Sequence, residues 1–331
     1  MITKATLKKY ILPLIGLVIL ALFIKNIPSQ ILSLSFQEIG IINIVVLLAL
    51  TAFNVLLKAL RWQLLIHKIA AVKMPLKLSF TTILAGVAGS SIMPGKVELT
   101  RPLMLKTEYD VPLSRSVSAL SIERVMDLVS LLSVMMASIL FLPASLNINF
   151  MLPALVGVII ILIIVASIAF YTPYWLSVFE NMVFMVIKKE RLKEKIRQFL
   201  NSFFEGLSKL DKMYLSVMTI FSIIINSIEI IRFYFLLQML GIAAPIAAIG
   251  FAFTASIVVG VVTMIPGGIG VTEISAAEII AQLLPAASKG LITSGVLLDR
   301  VLAYYLLIAI GALVLTLSGL FKKDQKEAQK A

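Results

Sequence analysis

The sequence contains no cysteine and a single histidine, His67. The lack of cysteine excludes disulfides, thiolate nucleophiles and cysteine-ligated metals, and one imidazole is too few for a zinc site. We therefore expect no metal and no cofactor. Charged residues are also scarce: they make up 14% of the 331 residues, whereas soluble domains contain about 25%.

Apolar residues make up 60% of the chain, and they form runs close to the roughly 20 residues that cross a hydrocarbon core. The main runs are residues 11–24, 39–57, 128–142, 151–171 and 213–240. None alternates apolar and polar positions, as the strands of a membrane β-barrel do. The sequence predicts an all-α, multi-pass integral membrane protein with a single membrane domain over residues 1–331.

The basic residues predict the orientation. The net charge of +12 is concentrated in residues 58–77, in residues 174–212 and in the tail from Lys322. Lys and Arg are absent from residues 28–38, 143–149 and 241–245. Short cytoplasmic loops are enriched in Lys and Arg, so we expect a cell-membrane protein with both termini cytoplasmic, and no nucleic-acid partner.

The cytoplasmic segment 174–212 contains an amphipathic pattern. Between residues 196 and 207, Ile, Leu and Phe recur every three or four positions with Lys and Arg between them. This spacing predicts a helix that lies along the membrane interface. A helix that binds a partner protein is the alternative.

Two apolar segments, residues 78–93 and 246–265, are short and end at the Pro-Gly pairs Pro94-Gly95 and Pro266-Gly267. If both crossed the membrane, the basic segment 174–212 would lie outside. The pattern therefore predicts two re-entrant hairpins and six full transmembrane helices. Broken backbone at membrane depth requires burial in protein or a wet cavity.

The two halves of the chain resemble each other. Arg124 follows Pro94 by 30 positions, and Arg300 follows Pro266 by 34. If the two hairpins enter from opposite sides, residues 76–142 and 244–320 are inverted-topology repeats. Transporters with such repeats place their sites between them, near the membrane centre.

Charged residues inside apolar helices are costly and usually mark function. Glu123 and Asp127 share one helix face, so a cation must lie between them unless one carboxylate is protonated. Arg101 and Arg300 are the candidates for that cation. Such residues form either buried ion pairs that hold the helices in register or a polar cavity for an anionic headgroup.

The headgroup interpretation draws on two kinds of phosphate ligand. Arginine binds phosphate through a planar fork that stays charged, and the glycines after Pro266 free backbone N–H groups before a helix expected near Val271. The predicted headgroup ligands are Lys96, Arg101, Arg124, Gly267, Gly268, Gly270, Thr272 and Arg300. The predicted ion-pair or proton-coupling residues are Glu98, Glu123, Asp127, Glu273 and Asp299.

An ordered set of motifs runs through nearly the whole chain. It comprises Arg61-Trp62, Pro94-Gly95-Lys96-Val97-Glu98 with Arg101-Pro102, Glu123-Arg124 with Asp127, Pro266-Gly267-Gly268-Ile269-Gly270-Val271 with Glu273, and Arg300. Over about residues 5–320 this set resembles the lysylphosphatidylglycerol synthase transmembrane region, or flippase-like, family. The resemblance implies a protein that translocates an anionic or polyprenyl-phosphate lipid. The aminoacyl-transferring members carry an extra soluble domain, which is not expected in a chain ending at Ala331, so we expect no enzymatic activity.

Three function classes remain at this point. The first is a lipid translocator whose partners are membrane lipids, and the second is a carrier for a small anion or other solute. The third is a non-catalytic partner of a membrane glycosyltransferase or lipid-modifying enzyme. The sequence predicts no particular oligomeric state.

Overall fold

The structure, a computed structural model, describes residues 29–91, 93, 98–143, 157 and 190–317, and the regular elements in these residues are all helices. They are α1 (Ser29–Ala70), α2 (Leu76–Ser90), α3 (Thr100–Tyr109), α4 (Leu113–Leu140), α5 (Glu190–Ser208), α6 (Lys212–Met239), α7 (Ile246–Val262), a 3₁₀ turn (Pro266–Gly268), α8 (Val271–Leu283), α9 (Lys289–Arg300) and α10 (Leu306–Leu317). A π-helical turn, Val301–Tyr305, joins α9 to α10. The expected spans at 11–24 and 151–171 lie outside the described residues.

Three of the described helices are long and apolar enough to cross a membrane: Ile39–Ala70 of α1, the whole of α6, and Lys289–Leu317. Each is longer than the roughly 20 residues that a bilayer requires. The helix α4 has 28 residues but carries charged side chains near its middle. The helices α2 and α7 are apolar and shorter, with 15 and 17 residues. The chain is thus a helical membrane protein.

The prediction of a basic loop over residues 58–77 is wrong for residues 58–70. The helix α1 continues to Ala70, so Lys58 and Arg61 lie within it, and Arg61 is fully buried. The helix tolerates both cations because each pairs with a carboxylate of another helix. The connection to α2 is confined to residues 71–75 and ends at Pro75, directly before the first turn of α2.

The helices α1, α4 and α6 pack against one another, and each of the short helices α2 and α7 packs against a helix of the other half: α2 against α10, and α7 against α4. Glycine makes both contacts close. A Cβ atom at Gly311 would lie 2.0 Å from the carbonyl oxygen of Leu84, and one at Gly250 would lie 2.6 Å from Ser138 Oγ. Interfaces between membrane helices commonly use small residues in this way.

The amphipathic helix predicted at 196–207 is confirmed as α5, which packs against α4. At this contact Arg115 of α4 pairs with the exposed Glu205, and the hydrogen bond from the guanidinium lowers the pKa of Glu205. The short connection that follows ends at Asp211, which caps α6 by accepting the Tyr214 amide at 2.7 Å. This hydrogen bond lowers the pKa of Asp211.

Candidate functional site

The middle of α4 carries the two carboxylates that the sequence places on one face, and a single cation joins them. Arg61 Nη2 lies 2.8 Å from Glu123 Oε1, and Arg61 Nη1 contacts Asp127 Oδ1. The same Nη1 donates to Ser222 Oγ of α6 at 2.5 Å. The cation between the carboxylates is therefore Arg61 of α1, and this contact ties α1, α4 and α6 together.

Arg101 of α3 reaches Glu123 from the other side. Its Nη2 lies 2.7 Å from Glu123 Oε2, and its Nη1 lies 2.8 Å from Glu98 Oε2. The guanidinium also stacks on the indole ring of Trp62, 3.8 Å from the ring centroid. The lack of a side chain at Gly86 makes room for it, since a Cβ there would lie 2.6 Å from Arg101 Cδ. Arg101 is thus enclosed by protein groups.

Arg124 closes the network. Its Nη2 lies 2.9 Å from Glu98 Oε1, and its Nη1 lies 3.4 Å from Asp127 Oδ2. Every arginine now bridges two carboxylates, and every carboxylate two arginines. We call this arrangement the charged ring; its members, in order, are Arg61, Glu123, Arg101, Glu98, Arg124 and Asp127.

The charged ring has a buried side and an open edge. The side chains of Arg61 and Arg101 are each 1% exposed, whereas Arg124 is 43% exposed and Asp127 21%. The longest link of the ring, at 3.4 Å, joins Arg124 to Asp127. The open edge, formed by Glu98, Arg124 and Asp127, is the part of the ring that a ligand can reach without displacing a fully buried group.

Apart from the exposed pair of Lys289 with Glu278, three further ion pairs lie among α1, α6, α8 and α9. They are Lys58 with Glu229 at 2.5 Å, Arg232 with Asp299 at 3.0 Å, and Arg300 with Glu273 at 3.2 Å. We call them the separate pairs. The Arg232 pair is bidentate, since Nε and Nη2 each bind one oxygen of Asp299.

The glycine-rich turn leads into α8 at Val271, as predicted. Gly267 and Gly270 both have positive φ, at 65° and 84°, a conformation that glycine adopts without steric cost. The Gly270 amide donates to Glu273 Oε2 at 2.7 Å, and Tyr305 Oη donates to Oε1 at 3.0 Å. The amide expected to bind an anion is therefore occupied by a carboxylate of the protein.

A small cavity adjoins the Arg232–Asp299 pair and is lined by Phe233, Phe253, Ser256, Thr272, Ala276, Val296, Asp299 and Arg300. The Thr272 hydroxyl is buried and has no hydrogen-bond partner in the described part of the chain. Of the predicted ligands, Thr272 and Arg300 meet here, and Gly267 and Gly268 are buried in the adjacent turn. The predicted ligand Lys96 lies outside the described residues, as does the Pro94-Gly95 turn.

Of the predicted site residues that the structure describes, some thus lie in the charged ring and the others lie in the second half of the chain. The predicted site residues do not include the ring's Arg61 or three members of the separate pairs, Lys58, Glu229 and Arg232, although Glu229 and Arg232 are recognisable as charges inside the apolar run 213–240. One signal was present for Arg61: it belongs to the ordered motif set, directly before Trp62. A cation near the end of an apolar run is easily assigned to the loop that follows.

The model of the lysylphosphatidylglycerol synthase transmembrane region matches residues 10–311. The chain belongs to this family. A UPF0104 membrane protein of Pyrococcus horikoshii is 24% identical over 330 residues, which covers 93% of this chain and 96% of that protein. The family membership predicted from the ordered motifs is therefore confirmed, and the charged ring lies within the part of the chain that matches the lysylphosphatidylglycerol synthase transmembrane region.

Proposed function

We propose that this protein moves an anionic phospholipid or a polyprenyl-phosphate lipid between the two leaflets of the cell membrane, without catalysing a chemical step. The observation that carries the proposal is the open edge of the charged ring. There Arg124 is 43% exposed inside a membrane domain, and only a 3.4 Å link ties it to Asp127. An exposed guanidinium at that depth is suited to a phosphate, which it binds through two parallel hydrogen bonds.

Within this proposal the two buried arginines have a different task from Arg124. Arg101 binds Glu98 and Glu123 and stacks on Trp62, so it fixes the carboxylates that in turn orient Arg124. Pairing keeps the buried charges tolerable, since an unpaired ion inside a membrane protein is costly. We therefore assign the headgroup contact to Arg124 and a positioning role to Arg101.

We further propose that the fold consists of two inverted repeats, α1 to α4 and α6 to α10, each with a re-entrant hairpin. The ion pairs support this arrangement. In the first half, Arg61 of α1 binds an acidic residue in the middle of α4. In the second half, Arg232 of α6 binds Asp299; counted from the helix start, Asp299 is the eleventh residue of α9, as Glu123 is of α4. The residue after each acid is an arginine, and Arg124 and Arg300 bind Glu98 and Glu273 respectively.

The contact between α1 and α6 fits a twofold axis in the membrane plane. Lys68, near the end of α1, pairs with Asp211 before the start of α6, so the two helices run antiparallel. Lys58 lies three positions before Arg61, Glu229 lies three positions before Arg232, and these two equivalent residues pair with each other. Residues related by such an axis meet where the axis passes between the helices.

The lengths of α2 and α7 support the hairpins. At 1.5 Å per residue, helices of 15 and 17 residues extend about 23 and 26 Å, short of the roughly 30 Å hydrocarbon core. Each short helix packs against a helix of the opposite repeat. With two re-entrant hairpins the proposed count is six full spans, and both termini lie in the cytoplasm together with α5.

The proposed function is tested with the full chain reconstituted into vesicles that contain a trace of fluorescent phosphatidylglycerol. Dithionite bleaches the outer leaflet only, so a translocator increases the bleached fraction over that of protein-free vesicles. We expect this increase from the native protein and its loss in Arg124→Gln. The control is Lys289→Gln, which removes an exposed cation paired with Glu278. No increase by the native protein would contradict lipid translocation, and phosphate uptake by the same vesicles would instead identify a small-anion carrier.

A further inference from the structure

The charges of the described membrane interior balance before any ligand binds. The charged ring contains three arginines and three carboxylates. The separate pairs add three cations and three carboxylates, and α7 contributes no charged side chain. Each buried charge therefore already has a counter-charge of the protein.

A singly charged phosphate headgroup at the open edge would leave this interior with one uncompensated negative charge. Such a charge is expensive in a low-dielectric environment, and the usual response is that an ionisable group becomes neutral. We propose that the charged ring takes up one proton when it binds a singly charged phosphate headgroup, and that Asp127 receives this proton. The inference rests on the proposed function, and it makes headgroup binding electroneutral.

Asp127 is the acceptor because of its position in the ring. It is the most exposed of the three ring carboxylates, at 21% against 13% for Glu98 and 2% for Glu123. It is also the one that Arg124 holds by the longest link. When Arg124 turns toward a phosphate, Asp127 loses one of its two arginines and its Oδ2 keeps only the 3.2 Å contact with Arg61 Nη2. Water at the open edge can then deliver a proton to that oxygen.

The charged groups that face Asp127 allow its carboxyl group to take up one proton. From α1 it faces Arg61, whose Nη1 also donates to Ser222 of α6. On its own helix it faces Arg124 and, through Arg61, Glu123. Protonation forms one O–H bond on the Asp127 carboxyl, the proton comes from the aqueous phase, and Arg61 keeps Glu123 as its counter-charge. A lipid carried in this state moves together with one proton.

Calorimetric titration measures this proton directly. The full chain in phosphatidylcholine nanodiscs is titrated at pH 7 with dihexanoyl phosphatidylglycerol, in three buffers of different ionisation enthalpy. The slope of the observed heat against the ionisation enthalpy gives the protons taken up per bound lipid. We expect about one, together with a Kd that rises about tenfold for each pH unit over the range in which one proton is taken up. Zwitterionic dihexanoyl phosphatidylethanolamine should bind without proton uptake.

Two variants locate the proton. Asp127→Asn has already lost the charge, so it should bind phosphatidylglycerol with about zero protons taken up. Glu278→Gln removes an exposed carboxylate outside the ring and should keep the native value. Proton uptake that persists in Asp127→Asn would overturn the assignment to Asp127.

The titration of the native protein tests by itself whether a proton is taken up, so this test stands even if a variant fails to fold. Binding without proton uptake would overturn this inference and leave lipid handling intact. Binding of neither lipid would contradict the proposed function and, with it, the coupling.

Discussion

Removal of a single carboxylate from the buried side of the charged ring should destabilise the protein strongly. Glu123 accepts from Arg61 at 2.8 Å and from Arg101 at 2.7 and 3.1 Å, and its side chain is buried. Glu123→Gln keeps the shape and removes the charge, so both buried guanidinium groups lose a counter-ion. Breaking a buried ion pair costs about 3–5 kcal/mol, which we expect as a fall in Tm on the order of 10 °C.

The assay is thermal unfolding of the purified full chain in detergent, followed by the fluorescence of the tryptophans. The matched control is Glu278→Gln, which removes the carboxylate of an exposed pair with Lys289 and should cost about 0–1 kcal/mol. The double variant Glu123→Gln with Arg101→Gln should recover part of the lost stability, since it removes a stranded charge. Equal Tm values for Glu123→Gln and Glu278→Gln would refute the view that the ring holds α1, α3 and α4 together.

Three further outcomes follow from the packing and the topology. Because the native chain has no cysteine, a Cys at Ser208 should be labelled only from the cytoplasmic side and a Cys at Ser288 only from outside; labelling of both from one side would exclude the inverted repeats. Gly311→Val should lower both Tm and lipid transport because its side chain meets the α2 backbone, whereas Ala312→Val on the exposed face should change neither. Asp211→Ala should lower Tm slightly at neutral pH by removing the cap of α6. Since the pKa of Asp211 is lowered on folding, the difference in Tm between the native protein and the variant should vanish as the pH falls through that pKa. A difference in Tm that does not change with pH would refute the cap.

The starts of α4, α7 and α8 and the amphipathic segment were predictable because local patterns specify them. Pro112 and Pro245 directly precede α4 and α7, where the fixed φ of proline is tolerated, and the glycine run ends directly before Val271. The amphipathic spacing of α5 is likewise contained in its own residues.

The pairing of the charges was not predictable in the same way. Glu123 contacts Arg61, which lies 62 positions away, and Arg232 contacts Asp299, which lies 67 positions away. Such distances depend on how the helices pack, and no local pattern specifies that. Lys58 and Arg61 were assigned to a loop because a cation lowers apolar character, whereas in the folded protein carboxylates from α4 and α6 neutralise both.

The binding of an anionic lipid at the open edge is tested most directly by native mass spectrometry of the protein purified from its membrane. The native chain should carry a phosphate-containing lipid with a net negative charge, and Lys289→Gln should retain it. Arg124→Gln should lose that lipid while its Tm stays close to the native value, because Arg124 lies at the exposed edge of the ring. Retention of the same lipid by a folded Arg124→Gln protein would contradict the assignment of the headgroup contact to Arg124.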